Sequence, residues 1–346
     1  MGKVVFVGLS GGVDSAVSAA LLKEQGFTVV GAFIKIWQPE FTECTWARDR
    51  LDAMRICATL GIPFKEVDLS DEYKREVIGD MIEGYTRGVT PNPDVLCNRV
   101  IKFGAFAGWA WEEGAQMIAT GHYAQVKQKG HEFELHRGRD KEKDQSYFLW
   151  QLSSNDLGKI FFPVGALLKS EVRSLAARFS LPVAQKPDSQ GLCFVGDISM
   201  PEFLSNYIPM KPGDVLDESE KVIGRHRGAA LYTVGQRHGF SIHSSGGATY
   251  YCIRVDVISN TLVVSSDRKK AMRTKVQLSD TQWHRTSPAN EISVEAQVRY
   301  REEPVSATVM KTNSTSIQFD TPQLIAPGQS VVFYDSSCVL GGGIAM

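Results

Sequence analysis

The first half of the chain alternates short apolar runs with longer amphipathic segments. Apolar runs of strand length predict strands at 3–7, 28–36, 64–69 and 117–120. Apolar positions at helical spacing predict helices between them, at 15–25, 48–60 and 102–113. This alternation is typical of an open parallel sheet with helices on both faces, so we expect an α/β domain.

The pattern changes near residue 200. After one more predicted helix at 201–207, short alternating runs rich in Gly, Thr and Val predict strands at 250–257, 261–265, 294–301, 306–311, 316–319 and 330–334. We therefore expect an α/β domain at 1–206 followed by two small β-rich domains, at 207–270 and 271–346. The charged stretch 267–275 is the expected break between the last two.

Composition excludes several classes of protein. The 346 residues carry 38 basic and 39 acidic side chains, a net charge of -1, so an overall basic nucleic-acid-binding protein is excluded while a local basic face is not. No apolar run approaches the roughly 20 residues that span a bilayer, and no signal peptide is evident, so we expect a cytoplasmic protein without a membrane partner. The six cysteines form no CxxC pair and are expected to be reduced.

Candidate chemistry begins directly after the first predicted strand, in the string Gly-Leu-Ser-Gly-Gly-Val-Asp-Ser at residues 8–15. Its glycines let the backbone approach an anion, two serines add hydroxyl donors, and the following helix offers unpaired amides and the positive end of its dipole. The string is neither a Walker P-loop nor a GxGxxG fingerprint. A plain glycine-rich turn is the alternative, but the full string at the first βα turn favours a phosphate cradle.

Two cysteines lie in polar turns. Cys97 follows a Pro- and Asn-rich loop and is expected at the entry of a helix that begins near Ile101, where a helix N-terminus favours thiolate. Cys193 follows Gly191 in a second polar turn. An isolated cytosolic cysteine is more often buried filler, and we assign that role to the cysteines at 44, 57, 252 and 338. A pair of such turns on a chain with a phosphate loop favours reactive thiols.

These motifs resemble known enzymes. The loop at 8–15 is similar to the pyrophosphate loop (PP-loop) of the ATP-pyrophosphatase superfamily, of the adenine nucleotide hydrolase-like fold, whose members split ATP into AMP and pyrophosphate. Over nearly the whole chain the sequence resembles the tRNA 2-thiouridylases, with Gln190 as a departure where the family more often has Thr. The matching stretches, in order, are 8–15, 90–103, 120–123, 143–148, 188–194, 232–237, 298–301, 327–329 and 340–343.

The resemblance implies a reaction. ATP adenylates the C2 oxygen of the wobble uridine of tRNAs for Lys, Glu and Gln, and sulfur then displaces AMP. Cys193 is implied to carry the sulfur as a persulfide and Cys97 to act as the partner nucleophile, closing a transient Cys97–Cys193 disulfide. A sulfur-donor protein, either a cysteine desulfurase or a persulfide relay, is an implied partner beside tRNA.

The resemblance also implies binding roles. ATP is expected to contact Gly8, Leu9, Ser10, Gly11, Gly12, Val13, Asp14, Ser15, Ile34 and Gly121, with Asp14 helping to place Mg²⁺. The target base and the tRNA are expected to contact Asn92, Pro93, Asp94, His122, Lys143, Asp144, Gln145, Arg299, Tyr300 and Gln329. Flipping of the base is required, because its C2 is unreachable in a stack.

Several alternatives stay open. An argininosuccinate-type synthetase would use the loop without sulfur, and a noncatalytic RNA-binding protein would keep the loop as a relic. A labile iron–sulfur cluster held by the two cysteines and Asp94 is disfavoured but not excluded. Two basic clusters fit either phosphate contact or a solvated surface, namely Arg225, His226, Arg227, Arg237 and His238, and Arg268, Lys269, Lys270, Arg273 and Lys275. We expect a monomer that binds tRNA transiently.

Overall fold

The computed structural model describes residues 2–42, 46–188, 198–243, 246–284 and 290–346. The chain divides into two compact units. The first unit contains Met1–Val77, Asp94–Asp197 and Asp335–Leu340, and the second contains Ile78–Pro93, Ile198–Tyr334 and Gly341–Met346. Within the described ranges, no helix is both long and apolar enough to cross a membrane.

The elements up to residue 178 are β1 (Val4–Leu9), α1 (Val13–Glu24), β2 (Thr28–Lys35), α2 (Trp46–Leu60), β3 (Phe64–Asp68), α3 (Ser70–Glu72), a π-helical segment (Tyr73–Ile78), α4 (Gly79–Thr86), α5 (Pro93–Leu96), a second π-helical segment (Cys97–Ala105), α6 (Phe106–Glu112), β4 (Met117–Ala119), β5 (Ala124–Lys129), β6 (Glu132–Arg137), a 3₁₀ turn (Ser146–Leu149), α7 (Ser154–Leu157), β7 (Ile160–Phe161) and α8 (Lys169–Arg178). The strands β1 to β4 confirm the four predicted strands to within two residues at each end.

The later elements are α9 (Met200–Ser205), β8 (Gly213–Leu216), β9 (Val222–His226), a 3₁₀ turn (Ala229–Leu231), β10 (Ser241–Ile242), β11 (Tyr251–Asp256), β12 (Thr261–Ser265), a 3₁₀ turn (Arg268–Ala271), β13 (Arg273–Trp283), β14 (Glu291–Gln297), β15 (Val305–Lys311), β16 (Thr315–Gln323), β17 (Ser330–Asp335) and β18 (Cys338–Ala345). The charged stretch at 267–275 forms a 3₁₀ turn and then opens β13, which the sequence pattern did not predict.

The first unit is built on a parallel sheet with the strand order β3-β2-β1-β4-β7. The central strand β1 pairs with β2 on one side and β4 on the other, with Val7 opposite Gly31 and Ala119. Its alternate residues are fully buried, and α1 contributes a face of small apolar residues to the same core. This arrangement confirms the expected α/β domain and brings the carboxyl ends of the strands to one edge, where ligands bind in such sheets.

The second unit contains the two β-rich parts that the sequence predicted. One is a sheet of order β10-β9-β8-β12-β11, in which the two predicted strands β11 and β12 pair antiparallel. In the other, β13, β16, β15, β14, β17 and β18 are neighbours in that order, and an additional β13–β18 pairing closes the ring. Closure removes the exposed edges that an open sheet would present.

Candidate active site

The phosphate loop, residues 8–15, connects the end of β1 to the first turn of α1. Leu9 is buried as the last residue of β1, and Gly12 occupies the N-cap position of α1, which begins at Val13. Gly11 adopts a φ of 71°, and a Cβ there would lie 2.6 Å from the carbonyl oxygen of Asp49. Only glycine satisfies both constraints, so this position is fixed by the turn itself.

Two serines organise the loop from within. The Ser15 hydroxyl donates to the Gly12 carbonyl at 3.2 Å, accepts the Ser10 amide at 3.2 Å, and lies 3.3 Å from the Ser10 hydroxyl. The Gly12 amide donates to the Ser10 hydroxyl at 3.3 Å. These bonds hold the amides of the loop and of the α1 N-terminus in one preorganised turn, the arrangement that binds phosphate in other helices.

Asp14, in the first turn of α1, is held by two partners from later in the chain. Lys169 Nζ lies 2.7 and 2.9 Å from its two carboxylate oxygens, and the Tyr123 hydroxyl donates to Oδ1 at 2.8 Å. Burial and the neighbouring Asp14 carboxylate raise the pKa of Tyr123 well above its ordinary value, so the phenol stays protonated as a donor. The phosphate loop is therefore tied to the start of α8.

Asp188 joins the same charged group. Lys143, Lys169 and Arg173 lie 2.8, 2.9 and 2.6 Å from its carboxylate. Desolvation opposes ionisation, but hydrogen bonds from Lys143 and Lys169 lower the pKa of Asp188 to about 2. Three cations, Lys143, Lys169 and Arg173, thus face two carboxylates, Asp14 and Asp188.

Lys186 supports the loop through a separate set of contacts. Its ammonium donates to the Gly11 carbonyl at 3.1 Å and to Asp49 and Asp52, on α2, at 2.8 Å each. Burial opposes the charge, yet the hydrogen bonds to Asp49 and Asp52 raise the pKa of Lys186. The Gly11 carbonyl is therefore held by an ammonium group that stays charged.

The sequence pattern did not reveal Tyr123, Lys169, Arg173, Lys186 or Asp49 as members of this site. The Lys169–Asp14 pair spans 155 residues, and no local motif surrounds Lys169. The only signal was that residues 120–123 and 188–194 match the family. Contacts between distant segments depend on tertiary packing, which spacing rules do not describe.

The arrangement bears on the predicted magnesium role of Asp14. The Lys169 ammonium bridges both carboxylate oxygens, so it takes the position that a cation bound to Asp14 would need. In this arrangement Asp14 does not fit a bound Mg²⁺.

Gly121 and Ile34 were expected to contact ATP. Gly121 packs against the first turn of α1, where a Cβ would lie 2.6 Å from the Ser15 amide nitrogen and 2.8 Å from the Asp14 carbonyl carbon. The glycine is therefore required by helix packing. Ile34, near the end of β2, is half-buried, with its Cδ1 3.7 Å from the position of a Cβ on Gly8.

His122 lies inside the unit. It is buried between Phe103 and Phe162, with Nδ1 2.7 Å from the Thr120 hydroxyl and Nε2 3.4 Å from Lys102 Nζ. Burial, aided by Lys102, lowers the pKa of His122 well below its ordinary value, so the ring is neutral at pH 7. On Asp94, burial raises the carboxyl pKa, while Lys102 acts in the opposite direction.

Cys97 lies deeper in a helix than the sequence predicted. The helix starts at Pro93, not near Ile101, because proline is preorganised for the first helical position and Asp94 favours the first turn. Cys97 is consequently in the second turn and only 8% exposed. Cys193 lies outside the described residues, so its distance from Cys97 is not part of the structure.

Two of the cysteines assigned as filler have the character expected of inert thiols. Burial raises the pKa of Cys57 to about 11 and that of Cys252 to about 12. Both are therefore protonated at pH 7 and poorly nucleophilic. Cys338 is also a buried thiol, whereas Cys44 lies outside the described residues.

The segment 143–145 is fixed by internal bonds. Asp144 is buried and accepts hydrogen bonds from Arg137, from the Gly138 and Ser146 amides and from the Ser146 hydroxyl. Gln145 accepts the Tyr123 amide at 3.0 Å. Lys143 is half-exposed while bonded to Asp188. These contacts position the loop, and only Lys143 presents a charge toward solvent.

In the second unit, three family-matching stretches meet at Thr90. Its amide donates to the Pro327 carbonyl at 2.7 Å, and its hydroxyl lies 2.8 Å from that of Thr233. Gly328 adopts a φ of 89° and a Cβ there would lie 2.8 Å from Thr90 backbone atoms. Asn92 and Pro93, expected at the target base, lie two and three residues after Thr90 and are half-buried.

The remaining predicted tRNA contacts lie in turns of the second unit. β14 ends at Gln297, so Arg299 and Tyr300 lie in the following turn and not in a strand as predicted, because Gln297 donates to the carbonyls of Arg299 and Glu302 and closes the turn. Gln329 accepts the Ala326 amide at 2.8 Å in the turn before β17.

The two basic clusters are partly neutralised. In the first, His226 is buried and bonded to the Asn260 carbonyl, and Arg225 pairs with Asp214 at 2.7 Å. In the second, Lys270 pairs with Glu218. His226 therefore does not belong to a surface patch.

A glycine-rich loop that joins β1 to α1 at the carboxyl edge of a parallel sheet, with Lys169 bonded to Asp14 and Lys186 bonded to Gly11, defines a nucleotide-binding α/β domain of the PP-loop class. Family models match the chain in three consecutive segments. They are described as a tRNA methyl transferase HUP domain at residues 3–197, a tRNA methyl transferase PRC-barrel domain at 201–266 and an aminomethyltransferase beta-barrel domain at 273–345.

Relatives that match the full length identify the family. A tRNA-specific 2-thiouridylase MnmA from Akkermansia muciniphila is 43% identical over 98% of this chain and 97% of its own. Proteins of the same name from Stenotrophomonas maltophilia and Bacillus subtilis are 44% and 42% identical, over 98% of this chain and 92% and 94% of theirs. The chain belongs to the tRNA-specific 2-thiouridylase family and is a tRNA-modifying sulfurtransferase.

Proposed function

We propose that this protein catalyses the ATP-dependent 2-thiolation of the wobble uridine in tRNAs for Lys, Glu and Gln, in the cytoplasm. The observation that carries the proposal is the phosphate loop, anchored by Lys169 and Lys186 within a chain that is similar over 98% of its length to tRNA-specific 2-thiouridylases. Residues 8–15, with Ile34 and Gly121, would hold ATP.

In the first step, the C2 oxygen of the uridine attacks the α-phosphorus of ATP, and pyrophosphate leaves with the electrons of the broken P–O bond. The amides at the α1 N-terminus would bind the phosphate oxygens, and the side chains of Lys143, Lys169 and Arg173 would offset part of their charge. The product is a base whose C2 carries AMP as a good leaving group. Mg²⁺ would accompany ATP without a ligand role for Asp14 in the present arrangement.

In the second step, the terminal sulfur of a Cys193 persulfide attacks C2 and AMP leaves. The Cys97 thiolate then attacks the inner sulfur of Cys193, so that the S–S bond breaks, the transferred sulfur stays on C2 as the thiocarbonyl, and a Cys97–Cys193 disulfide forms. Release of hydrosulfide by Cys97 before attack on C2 gives the same products. An external thiol then reduces the disulfide, and a desulfurase or relay protein reloads Cys193.

Several of the residues named from the sequence would contact tRNA. Asn92, Pro93 and Asp94 would contact the flipped uridine, and Lys143 provides a half-exposed cation beside the phosphate loop. Arg299 and Tyr300 combine phosphate pairing with a ring for base stacking, and Gln329 lies in another turn of the β-rich unit. The side chains of His122, Asp144 and Gln145 would shape the site from within, and they would also contact the tRNA.

Thiolation of unmodified tRNA-Lys tests the proposal. The protein, ATP, Mg²⁺ and a persulfide source are incubated with the tRNA, and the product is read on a mercury-containing gel that retards thiolated RNA. We expect a retarded band that requires ATP and disappears in Cys97→Ser and Cys193→Ser. Cys252→Ser, which replaces a buried and protonated thiol, is the matched control and should keep the band.

Formation of AMP and pyrophosphate is measured in the same reactions. If the nucleotides form but no RNA is retarded, the sulfur chemistry is wrong and a synthetase without sulfur is favoured. If Cys97→Ser keeps full thiolation, the role proposed for Cys97 is wrong while the ATP site stands. Anaerobic purification with an absorption spectrum shows whether an iron–sulfur cluster takes the place of the persulfide.

A further inference from the structure

Three side chains of the kinds that ligate metals lie together in the first unit, away from the phosphate loop in sequence. Glu134 and His136 are on β6, and Cys338 begins β18. Residues two apart on a strand point to the same face, and Cys338 pairs in register with His136. The strand geometry therefore brings a carboxylate, an imidazole and a thiol together.

The three ligand atoms are close and buried. They lie within 4.8 Å of one another, with 3.1 Å from His136 Nε2 to Glu134 Oε2 and 3.9 Å from Cys338 Sγ to the same oxygen. Glu134, His136 and Cys338 are 7%, 9% and 5% exposed. Around a tetrahedral Zn²⁺ the corresponding N···O and S···O separations are about 3.3 Å and about 3.5 Å, given the usual bond lengths. Small side-chain rotations would bring all three atoms onto one ion.

The surroundings fit a metal site as well. A ligating histidine usually hydrogen-bonds through its other ring nitrogen, and His136 Nδ1 lies 3.0 Å from the Ser337 hydroxyl. Lys129 lies 3.6 Å from the Glu134 carboxylate, but the lysine is 71% exposed and water screens the pair. A divalent cation would compensate the charge of the buried Glu134 carboxylate and that of Cys338 in its metal-bound thiolate form.

We propose that Glu134, His136 and Cys338 bind a zinc ion, with water as the fourth ligand. Mixed sulfur, nitrogen and oxygen donors are those of zinc, whereas Mg²⁺ prefers oxygen alone. The ion would join residues 335–340 to the β5–β6 hairpin, a link between segments about 200 residues apart in sequence. Cys338 is then a ligand, in contrast to the filler role assigned from the sequence.

The first test measures metal in the full-length protein, purified without chelator and dialysed, by inductively coupled plasma mass spectrometry. We expect about one zinc per chain in the wild type, and loss of most of it in Cys338→Ala and in His136→Gln. Cys252→Ala and His131→Gln are matched controls, a buried strand cysteine and an exposed histidine of the same hairpin, and should keep the metal. The double variant Cys97→Ser, Cys193→Ser should also keep it, which separates this site from the thiolation chemistry.

A second test is independent of variant folding. The wild-type protein is stripped with chelator, returned to buffer and titrated with Co²⁺. A thiolate-to-cobalt charge-transfer band that saturates at one equivalent is expected, and it should be absent from Cys338→Ala. Wild-type protein that carries no zinc and gives no cobalt band would overturn the proposal, as would zinc retained in full by both Cys338→Ala and His136→Gln.

Discussion

Lys169 bridges both carboxylate oxygens of Asp14, although 155 residues separate them in the chain. The pair ties the first residue of α8 to the first turn of α1, and the same ammonium reaches Asp188. A rigid phosphate loop needs an ion pair of this kind to hold it, because the dipole of α1 does not by itself fix the positions of the loop residues. The position of the loop therefore depends on a residue that no motif identifies.

Replacement of Lys169 by Met should impair ATP chemistry more than folding. The change leaves Asp14 facing Asp188 without their shared cation, so we expect AMP formation to fall at least tenfold. Loss of charged hydrogen bonds at this partly buried position should lower the free energy of unfolding by about 1–3 kcal/mol. The checks are AMP release under saturating tRNA and urea unfolding.

Lys159→Met is the matched control for Lys169→Met. Lys159 is an exposed lysine whose ammonium lies 5.8 Å from the centre of the Trp111 ring and contacts nothing in the loop. Its replacement should leave AMP formation within about twofold of the wild type, because surface substitutions cost little. Equal effects of the two substitutions would mean that the ion pair between Lys169 and Asp14 has no special role.

Gly121→Ala should displace the first turn of α1. The added methyl would lie 2.6 Å from the Ser15 amide nitrogen, and backbone cannot yield as a flexible side chain can. We expect a loss of about 1–3 kcal/mol in the free energy of unfolding, as in other overpacked cores, and a weaker affinity for ATP. Urea unfolding and calorimetric titration with a non-hydrolysable ATP analogue measure the two effects.

Gly108→Ala provides the contrast. Gly108 lies on α6, where a Cβ would meet open space and the backbone is ordinary helix. There the substitution should stabilise the protein by about 0.5–1 kcal/mol, because alanine loses less backbone entropy in a helix. A Gly121→Ala protein as stable as Gly108→Ala would show that α1 adjusts freely.

The sequence predicted the central strands because their signals are local. The apolar run of β1 and the glycines of the phosphate loop each depend on neighbouring residues only, as does the helix stop at Gly61. The strands β13 and β18 were missed since their polar and glycine-rich sequences become strands only by closing a ring with partners far along the chain.

The same distinction applies to the site. Loop residues such as Gly11 and Asp14 could be identified by their string, while Lys169 and Lys186 could not. The helix that carries Cys97 begins earlier than predicted because Pro93 occupies its first position, where the fixed φ of proline suits a helix. His122, which the resemblance implies contacts tRNA, is buried, and the short strand β4 before it offers no alternation that could indicate this burial.

Gly328→Ala should affect tRNA more than ATP. The turn at Pro327 and Gly328 holds Thr90, and a methyl on Gly328 would lie 2.8 Å from Thr90 backbone atoms. We expect the segment with Asn92 and Pro93 to shift, so that the KM for tRNA rises several-fold while ATP affinity is unchanged. Steady-state thiolation at varied tRNA, with nucleotide titration beside it, measures this split.

Gly114→Ala separates the clash from backbone strain. Gly114 has a φ of 91°, nearly that of Gly328 at 89°, but nothing within 4 Å of a Cβ. Both variants suffer the cost of a left-handed alanine, about 1 kcal/mol, and only Gly328→Ala pushes on Thr90. A tRNA defect of the same size in Gly114→Ala would contradict the proposed link between the turn and the loop.

His122 should make stability depend on pH below neutrality. Its pKa in the folded protein is far below 6.5 because the ring is buried beside Lys102, whereas the unfolded chain protonates it near 6.5. Below that pH the unfolded state binds a proton that the native state does not, so the free energy of unfolding falls as pH falls, by up to about 1.4 kcal/mol per pH unit. Above about pH 7 this contribution to stability is fully present.

Urea unfolding of the wild type and of His122→Gln between pH 5 and 8 tests whether the free energy of unfolding falls as the pH falls. The substitution should lower stability at pH 8, where it removes the Thr120 hydrogen bond, and the difference should shrink toward pH 5 because the variant has no imidazole to protonate. His131→Gln changes an exposed histidine on the β5–β6 turn and should run parallel to the wild type. A constant difference between wild type and His122→Gln across the range would mean that His122 is protonated in the folded protein, and that its buried contact with Lys102 opens below neutrality.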